Sequence, residues 1–257
     1  MFHQPRKRFG QNFLVDETVL DNIIAAIHPK SEQNVVEIGP GLGALTKKLL
    51  PLLNKLHAVE LDRDLIPKLK TSCADLGELI IHQQDALKFD FASVIQNKQK
   101  LRIVGNLPYN ISTPLLFHLL TFAPYIQDMY FMLQKEVAHR LASVPDNKTY
   151  GRLSVMVQYY CAAEILFDVS AAAFNPKPKV DSAFIRLAPY GRPPYPANNF
   201  DLFAELVTTA FTQRRKTIRN ALGAFISAES LETLDISPTL RPENLTVEQF
   251  VRIANQC

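Results

Sequence analysis

The sequence predicts an α/β fold with a mostly parallel sheet, followed by a small unit that is entirely helical. Between residue 34 and about residue 135, short β-branched or apolar runs alternate with segments of helical pattern. Such alternation is typical of βαβ units in a parallel sheet. Prolines cluster between residues 189 and 196 and mark a linker, and from Asn199 onward the pattern is helical only.

The individual elements follow from the same patterns. Parallel strands are predicted at residues 34–38, 56–61, 79–82, 101–105 and 129–133. Helices are predicted at residues 44–53, 65–73 and 114–122. The last of these helices is expected to use Thr113 as its N-cap, with Pro114 in its first turn. A helix at 153–161 then precedes two late strands, whose short connection predicts an antiparallel edge, at 164–169 and 182–187.

Length and composition limit the other possibilities. The 257 residues accommodate one α/β domain, placed at 1–190, and a helical domain, placed at 199–257. No apolar run reaches the roughly 18 residues of a membrane span. Three distant cysteines and scattered histidines predict neither disulfides nor a metal site, so we expect a cytoplasmic protein without metal or membrane contact.

A glycine-rich loop, Gly-Pro-Gly-Leu-Gly at 39–43, follows the first predicted strand. Glycines at this place let the backbone turn tightly and approach a ligand. Glu60 ends the next strand, where a carboxylate can accept hydrogen bonds from both hydroxyls of a ribose. The G-x-G-x-x-A spacing also fits a nicotinamide dinucleotide, and a tight turn without any ligand stays open.

Two acidic residues favour S-adenosylmethionine as the cofactor. Glu37 precedes the glycines, and Asp85 follows the third predicted strand, where it offers an acceptor for an adenine amino group. Both fit a nucleoside with a short charged tail better than a pyrophosphate. Glu37 has a second interpretation, in which it only forms a salt bridge or accepts backbone hydrogen bonds in the loop.

The fourth predicted strand ends in the tetrapeptide Asn106, Leu107, Pro108 and Tyr109. An adenine amino nitrogen is a poor nucleophile because its lone pair is delocalised into the ring. The Asn106 side-chain carbonyl and a neighbouring backbone carbonyl can accept its N–H bonds, which frees the lone pair to attack a sulfonium methyl group. Pro108 stiffens the turn. Tyr109 can stack on a base, which is worth about 1–3 kcal/mol. An ordinary turn with a buried tyrosine is the alternative.

With these motifs the chain resembles the bacterial small-subunit ribosomal RNA adenine dimethyltransferases over nearly its whole length. The matching segments are 8–14 (Arg-Phe-Gly-Gln-Asn-Phe-Leu), 36–43 (Val-Glu-Ile-Gly-Pro-Gly-Leu-Gly), 106–110 (Asn-Leu-Pro-Tyr-Asn), 132–137 (Met-Leu-Gln-Lys-Glu-Val), 150–154 (Tyr-Gly-Arg-Leu-Ser), 178–182 (Pro-Lys-Val-Asp-Ser) and 213–216 (Gln-Arg-Arg-Lys). The resemblance implies a class I methyltransferase fold, which is Rossmann-like, with a seven-stranded sheet and a helical C-terminal domain.

The resemblance also implies a reaction: dimethylation of the N6 amino groups of two adjacent adenosines near the 3′ end of 16S ribosomal RNA in immature 30S subunits. The residues expected to bind S-adenosylmethionine are Gln11, Asn12, Leu14, Gly39, Gly41, Glu60, Asp85 and Asn106. The catalytic set is Asn106, Leu107, Pro108, Tyr109 and Phe174, with Phe174 as the second aromatic of a sandwich around the base. Composition alone favours Phe174 as a core residue.

Two basic clusters are expected to bind RNA phosphates: Arg6, Lys7 and Arg8, and then Arg214, Arg215, Lys216 and Arg219. The second cluster is placed on a C-terminal helix whose apolar neighbours face inward, namely Phe211, Ile218 and Leu222. Helical spacing cannot bring all four cations to one face, and a solvated helix face is the alternative interpretation.

Two other functions stay open at this stage. One is a related adenine-N6 methyltransferase that acts on large-subunit RNA or on DNA. The other is a non-catalytic factor that docks on immature small subunits. In each case we expect a monomer.

Overall fold

The computed structural model describes residues 12–95 and 99–257. Its strands are β1 (Phe13–Leu14), β2 (Asn34–Ile38), β3 (Lys55–Glu60), β4 (Glu78–Gln83), β5 (Leu101–Asn106), β6 (Ile126–Gln134), β7 (Cys161–Val169), β8 (Phe174–Asn175) and β9 (Ser182–Pro189). Its α-helices are α1 (Glu17–Ile27), α2 (Ala44–Leu49), α3 (Ile66–Cys73), α4 (Ser112–Leu120), α5 (Lys135–Leu141), α6 (Arg152–Tyr160), α7 (Phe200–Thr212), α8 (Ile218–Ala221), α9 (Ala228–Thr233) and α10 (Val247–Gln256).

Seven strands form one sheet in the order β4-β3-β2-β5-β6-β9-β7. The pairs from β4 to β6 are parallel, and β9 is antiparallel to β6. The mostly parallel seven-stranded sheet is therefore confirmed. The strand order reverses between β2 and β5, and ligands of open α/β sheets bind at the carboxyl ends of the strands at such a point.

The central strands are buried on both faces, which explains their unbroken apolar runs. Val35 and Val36 of β2, and Ile103 and Val104 of β5, are fully buried. The short strand β1 pairs antiparallel with β8, with Leu14 opposite Phe174. This pairing ties the start of the described chain to the segment before β9.

The chain divides into two compact units, and one of their boundaries lies between Pro189 and Tyr190, where the proline cluster begins. One unit comprises the chain up to Ala138 together with residues 164–189, and the other comprises residues 139–163 and 190–257. Residues 139–163 belong with the C-terminal helices because α6 packs against α7 and α10. Tyr159 of α6 lies with its ring centroid 4.9 Å from that of Phe203 on α7. The helical unit is thus discontinuous in sequence, whereas we expected a continuous C-terminal segment.

The start of α4 differs from the prediction. The helix begins at Ser112 with Ile111 in the N-cap position, and no side chain caps it, so the expected N-cap role of Thr113 is wrong. The Ile111 amide donates to the Pro108 carbonyl over 3.2 Å, and this turn continues directly into the helix. Pro114 is tolerated because the first amides of a helix have no intrahelical acceptor.

Among the described residues, no helix combines the length and the apolar character that a membrane span requires.

Candidate active site

A cavity of about 860 Å³ opens at the carboxyl ends of β2, β3 and β5. It is large enough for a nucleoside-sized ligand, since small-molecule sites in proteins measure about 300–1,000 Å³. The sequence-predicted residues that line it are Asn12, Leu14, Gly39, Gly41, Glu60, Asp85, Asn106, Leu107, Pro108 and Tyr109. The predicted cofactor loop and the predicted catalytic tetrapeptide therefore share one cavity. Gln11 lies outside the described residues.

The glycine-rich loop needs its glycines for conformation and for space. Gly39 and Gly41 have φ of 66° and 60°, in the left-handed region that side chains rarely adopt. A methyl group on Gly41 would lie 3.0 Å from a ring carbon of Phe13, which also lines the cavity. One on Gly39 would lie 4.0 Å from the Asn106 carbonyl oxygen, so the loop and the tetrapeptide face each other closely.

Glu60 fastens the glycine loop to the end of β3. One of its carboxylate oxygens accepts a hydrogen bond from the Gly41 amide over 3.1 Å, and the other accepts one from the Asp62 amide over 2.8 Å. The side chain is buried, and this burial raises the pKa of Glu60 above its ordinary value. A carboxylate has about four lone-pair sites, so these two bonds leave capacity to accept from a ribose.

Glu37 lies in the cavity wall and is the second-last residue of β2 before the loop. Its carboxylate accepts a 2.7 Å hydrogen bond from the Thr46 hydroxyl on α2. Burial raises the pKa of Glu37 to about 7, and nearby Glu60 contributes in the same direction. Glu37 thus joins β2 to α2 through its hydrogen bond with the Thr46 side chain. The alternative considered from the sequence was a bond to backbone amides of the loop, and the partner found here is a hydroxyl.

Asp85 lies half-buried in the cavity wall, beyond the end of β4. Its Oδ1 accepts a hydrogen bond from the Leu87 amide over 2.9 Å, and its carbonyl accepts one from the Lys88 amide over 2.9 Å. Both bonds fix the turn that holds the carboxylate at the cavity.

Asn106 is held in a defined orientation at the end of β5. Its Nδ2 donates to the Asn12 carbonyl over 2.8 Å, which leaves Oδ1 as the acceptor of the side chain. The next amide, of Leu107, donates to the Met132 carbonyl on β6 over 3.2 Å. The preceding Gly105 admits no side chain, since a methyl group there would lie 2.6 Å from the Ile38 carbonyl oxygen.

Tyr109 is anchored through its hydroxyl, which lies 2.8 Å from the Ser182 hydroxyl on β9. Its carbonyl accepts a hydrogen bond from the Ser112 hydroxyl over 3.1 Å. Burial raises the pKa of Tyr109, so the phenol stays protonated at neutral pH. Ser182 therefore holds the hydroxyl end of the ring and Ser112 the backbone, and the residue is only half-buried.

Phe174 is located differently from the rest of the predicted catalytic set. It is 4% exposed, belongs to the core cluster that contains Leu14 and Phe184, and does not line the cavity. This arrangement agrees with the core interpretation from composition. The sandwich role of Phe174 stays a prediction.

The C-terminal basic cluster does not lie on one helix as expected. Helix α7 ends at Thr212 and α8 begins at Ile218, so Arg214 to Lys216 lie in the turn between them. Arg214 donates to the Glu243 carboxylate and to the Lys148 carbonyl, each over 2.6 Å, which gives it a structural role in the helical unit. The exposed cations of the cluster are Arg215, Lys216 and Arg219.

The apolar neighbours of this cluster face inward to different degrees. Ile218 and Leu222 are buried as expected, whereas Phe211 is only partly buried. The residues Arg6, Lys7 and Arg8 lie outside the described part of the chain.

The sequence interpretation missed Thr46, Phe13 and Ser182 as parts of the site. Phe13 and Ser182 lie inside segments that carried the family resemblance, but their roles depend on contacts between distant parts of the chain. Within residues 12–95 and 99–257, no group of three His, Cys, Asp or Glu side chains is arranged to hold a metal ion.

Comparison with known proteins identifies the family. The family described as ribosomal RNA adenine dimethylase matches residues 2–257. The chain belongs to this family. A ribosomal RNA small subunit methyltransferase A from Pseudomonas aeruginosa is 56% identical over 254 residues, which cover 99% of this chain and 95% of the relative. Membership makes the chain a ribosomal RNA adenine dimethyltransferase and implies a methyl donor of the S-adenosylmethionine type.

Solved structures agree with the family fold. A dimethyladenosine transferase from Plasmodium falciparum is 30% identical with a TM-score of 0.80, covering 94% of this chain and 95% of that one. The 23S rRNA methyltransferase ErmE has a TM-score of 0.76 at 24% identity, covering 95% and 99% of the two chains, and its likeness concerns the fold alone. Both support the class I methyltransferase architecture.

Proposed function

We propose that this protein dimethylates the N6 amino groups of two adjacent adenosines near the 3′ end of 16S ribosomal RNA, within immature 30S subunits. The observation that supports this most is the shared cavity, in which Asn106 and Tyr109 lie beside the glycine loop and Glu60. A donor site and an amine-binding motif in one cavity are what a direct methyl transfer requires. The small-subunit substrate follows the relatives of the same name, such as the one from Pseudomonas aeruginosa.

The cavity residues fit S-adenosylmethionine as the donor. Glu60 would accept hydrogen bonds from the ribose hydroxyls, and Asp85 from the adenine amino group. The glycines at 39 and 41 allow close approach of the backbone, while Asn12 and Leu14 close the cavity from the side of β1. When bound, the donor supplies an electrophilic methyl group on a sulfonium sulfur.

Asn106 and Leu107 would prepare the target amine for this transfer. The Asn106 Oδ1 and the Leu107 carbonyl oxygen each accept one N–H of the adenine amino group, which draws the nitrogen toward pyramidal geometry and localises its lone pair. With the donor bound, the nitrogen held by Asn106 and Leu107 would take up the methyl group with release of the thioether, and the methylated amine would then lose a proton to water. No strong general base is required, because the product cation is acidic. Pro108 stiffens the turn, and Tyr109 stacks on the base.

The target base has to leave its stack to reach this cavity, as in other base-modifying enzymes. Exposed Arg215, Lys216 and Arg219 would hold RNA phosphates near the helical unit, and Arg6, Lys7 and Arg8 would add to them. We further propose that the enzyme acts as a monomer in the cytoplasm.

The test is methyl transfer from labelled S-adenosylmethionine to unmethylated small and large ribosomal subunits and to DNA, with the modified nucleotides mapped. The expected result is dimethyladenosine at two adjacent positions near the 3′ end of small-subunit RNA. Label on the large subunit alone, or on DNA alone, would contradict the proposed substrate but would leave the proposed methyl transfer intact. Absence of transfer to any of these, with subunit binding intact, would favour a docking factor instead.

A further inference from the structure

The segment 178–182 (Pro-Lys-Val-Asp-Ser) carries part of the family resemblance, but none of its residues belongs to the predicted catalytic or cofactor-binding sets. It connects β8, which holds Phe174, to the beginning of β9. Its last two residues form hydrogen bonds near the two aromatic residues that are predicted to bind the base. Ser182 bonds to Tyr109 itself, and Asp181 bonds to the turn that precedes Phe174.

Ser182 bonds to the segment that contains Tyr109. It is the first residue of β9, is fully buried, and lies opposite Gln134 of β6 in the sheet. Its hydroxyl and the Tyr109 hydroxyl are 2.8 Å apart. Because β6 and β9 fix the position of Ser182, this bond ties the free end of the Tyr109 ring to the rigid sheet.

Asp181 bonds to the segment before Phe174. Its Oδ1 accepts a 2.9 Å hydrogen bond from the Ala171 amide, at the start of the short turn Ala171–Ala173 that leads directly into Phe174. Its own carbonyl accepts a 3.0 Å hydrogen bond from the amide of Lys135, the residue that directly follows β6. The same point of the sheet therefore holds both segments in place.

We propose that Ser182 is a positioning residue for the methyl transfer, because it fixes the Tyr109 ring whose face receives the target base, and that Asp181 supports the neighbouring turn from the same strand. The inference rests on the proposed function, since it gives Tyr109 a base to receive. Stacking needs a ring that is held in one place. Without a partner at its hydroxyl, the ring can swing about the Cα–Cβ bond, whereas the hydrogen bond to Ser182 holds the far end of the ring axis and opposes this swing.

A double-mutant cycle with Ser182→Ala and Tyr109→Phe tests this coupling. Each single variant removes one partner of the same bond, and we expect the single-turnover methyl-transfer rate to fall about fivefold in each, the value of one typical hydrogen bond. The double variant should be no slower than either single one, because the bond can be lost only once. The affinity for S-adenosylmethionine should stay within about twofold, since Ser182 does not line the cavity.

Ser143→Ala is the matched control. Its hydroxyl is also buried and lies 2.8 Å from another side-chain hydroxyl, that of Thr149, but in the helical unit. This variant should keep the transfer rate of the wild type. Unchanged rates in both site variants, additive losses in the double variant, or an equal loss in Ser143→Ala would overturn the inference.

Nuclear magnetic resonance of the labelled tyrosine rings separates this inference from the proposed function. The chain has 8 tyrosines, and the Tyr109 signals are those missing from Tyr109→Phe. In Ser182→Ala, the Tyr109 ring signals should shift, because the ring can then swing about its Cα–Cβ bond, while those of the other tyrosines stay in place. If the wild type methylates no RNA, the proposed function fails and this measurement alone decides whether Ser182 fixes the ring. Unchanged Tyr109 signals would contradict the positioning role.

Discussion

The Glu60 carboxylate has two roles. It accepts hydrogen bonds that hold the glycine-rich loop, and in the proposed function it also binds the ribose of the cofactor. Its two oxygens already accept the amides of Gly41 and Asp62, so the charge that would meet a ribose is also the charge that holds the glycine loop. Hydrogen bonds to a charged group are worth about 1.5–3 kcal/mol each. A neutral amide at this position keeps the shape but replaces one acceptor by a donor.

For Glu60→Gln we therefore expect the dissociation constant for S-adenosylmethionine to rise roughly ten- to a hundredfold. Titration calorimetry measures this directly. Glu78→Gln is a suitable control, because Glu78 is an exposed carboxylate on β4 that does not line the cavity. An unchanged dissociation constant in Glu60→Gln would exclude the ribose assignment.

Glu37 should make the stability of the protein depend on pH. Its folded pKa of about 7 lies above the ordinary value of 4.5, so the folded state keeps a proton that the unfolded chain releases. Its contribution to stability is therefore full below about pH 4.5 and is lost as the pH rises to 7, with a slope of at most about 1.4 kcal/mol per pH unit.

Glu37→Gln removes this titration while keeping an acceptor for Thr46. Relative to the wild type, the variant should become more stable by about 2 kcal/mol between pH 5 and pH 7, as measured by denaturant unfolding. His57, whose pKa burial lowers to about 4, acts with the opposite sign but is present in both proteins and cancels in the difference. A difference that stays constant with pH would show that Glu37 is ionised throughout this range.

At the scale of elements, β5 and β6 are joined by a buried ion pair below the site. The Arg102 guanidinium donates to both carboxylate oxygens of Asp128 over 2.8 and 3.0 Å, and the side chains are 5% and 3% exposed. Arg102 also donates to Gln33 and to the Tyr130 hydroxyl. Removing one partner of such a pair leaves a buried charge uncompensated.

Asp128→Asn should lower the free energy of unfolding by about 3–5 kcal/mol. Replacing both partners, as in Arg102→Met with Asp128→Leu, should recover most of this loss, because no buried charge remains. Glu78→Gln, which breaks the exposed pair of Lys55 and Glu78 between β3 and β4, should cost less than about 1 kcal/mol. Urea unfolding measures both losses. If Asp128→Asn lowered the free energy of unfolding no more than Glu78→Gln does, the buried pair would not stabilise the contact between β5 and β6.

For the whole molecule, the sheet could be predicted because its strands are buried and their apolar runs are local in sequence. Most of the cavity could also be predicted, because parallel strands bring residues such as Glu60 and Asn106 to the same edge. The boundary after Pro189 follows the proline cluster, but the assignment of residues 139–163 to the helical unit could not be predicted, since it depends on the packing of α6 against α7 and α10. The contact of Tyr109 with Ser182 joins residues far apart in sequence, and no local pattern encodes it.

The proposed reaction depends most on the Asn106 side chain, because its Oδ1 is the side-chain acceptor that would hold the target amine at the cavity. The decisive measurement is the single-turnover rate of methyl transfer by Asn106→Ala at saturating S-adenosylmethionine, compared with the wild type on unmethylated small subunits. We predict a loss of at least about a hundredfold, as for other groups that stabilise a transition state through a preorganised hydrogen bond. A rate close to that of the wild type would contradict the account.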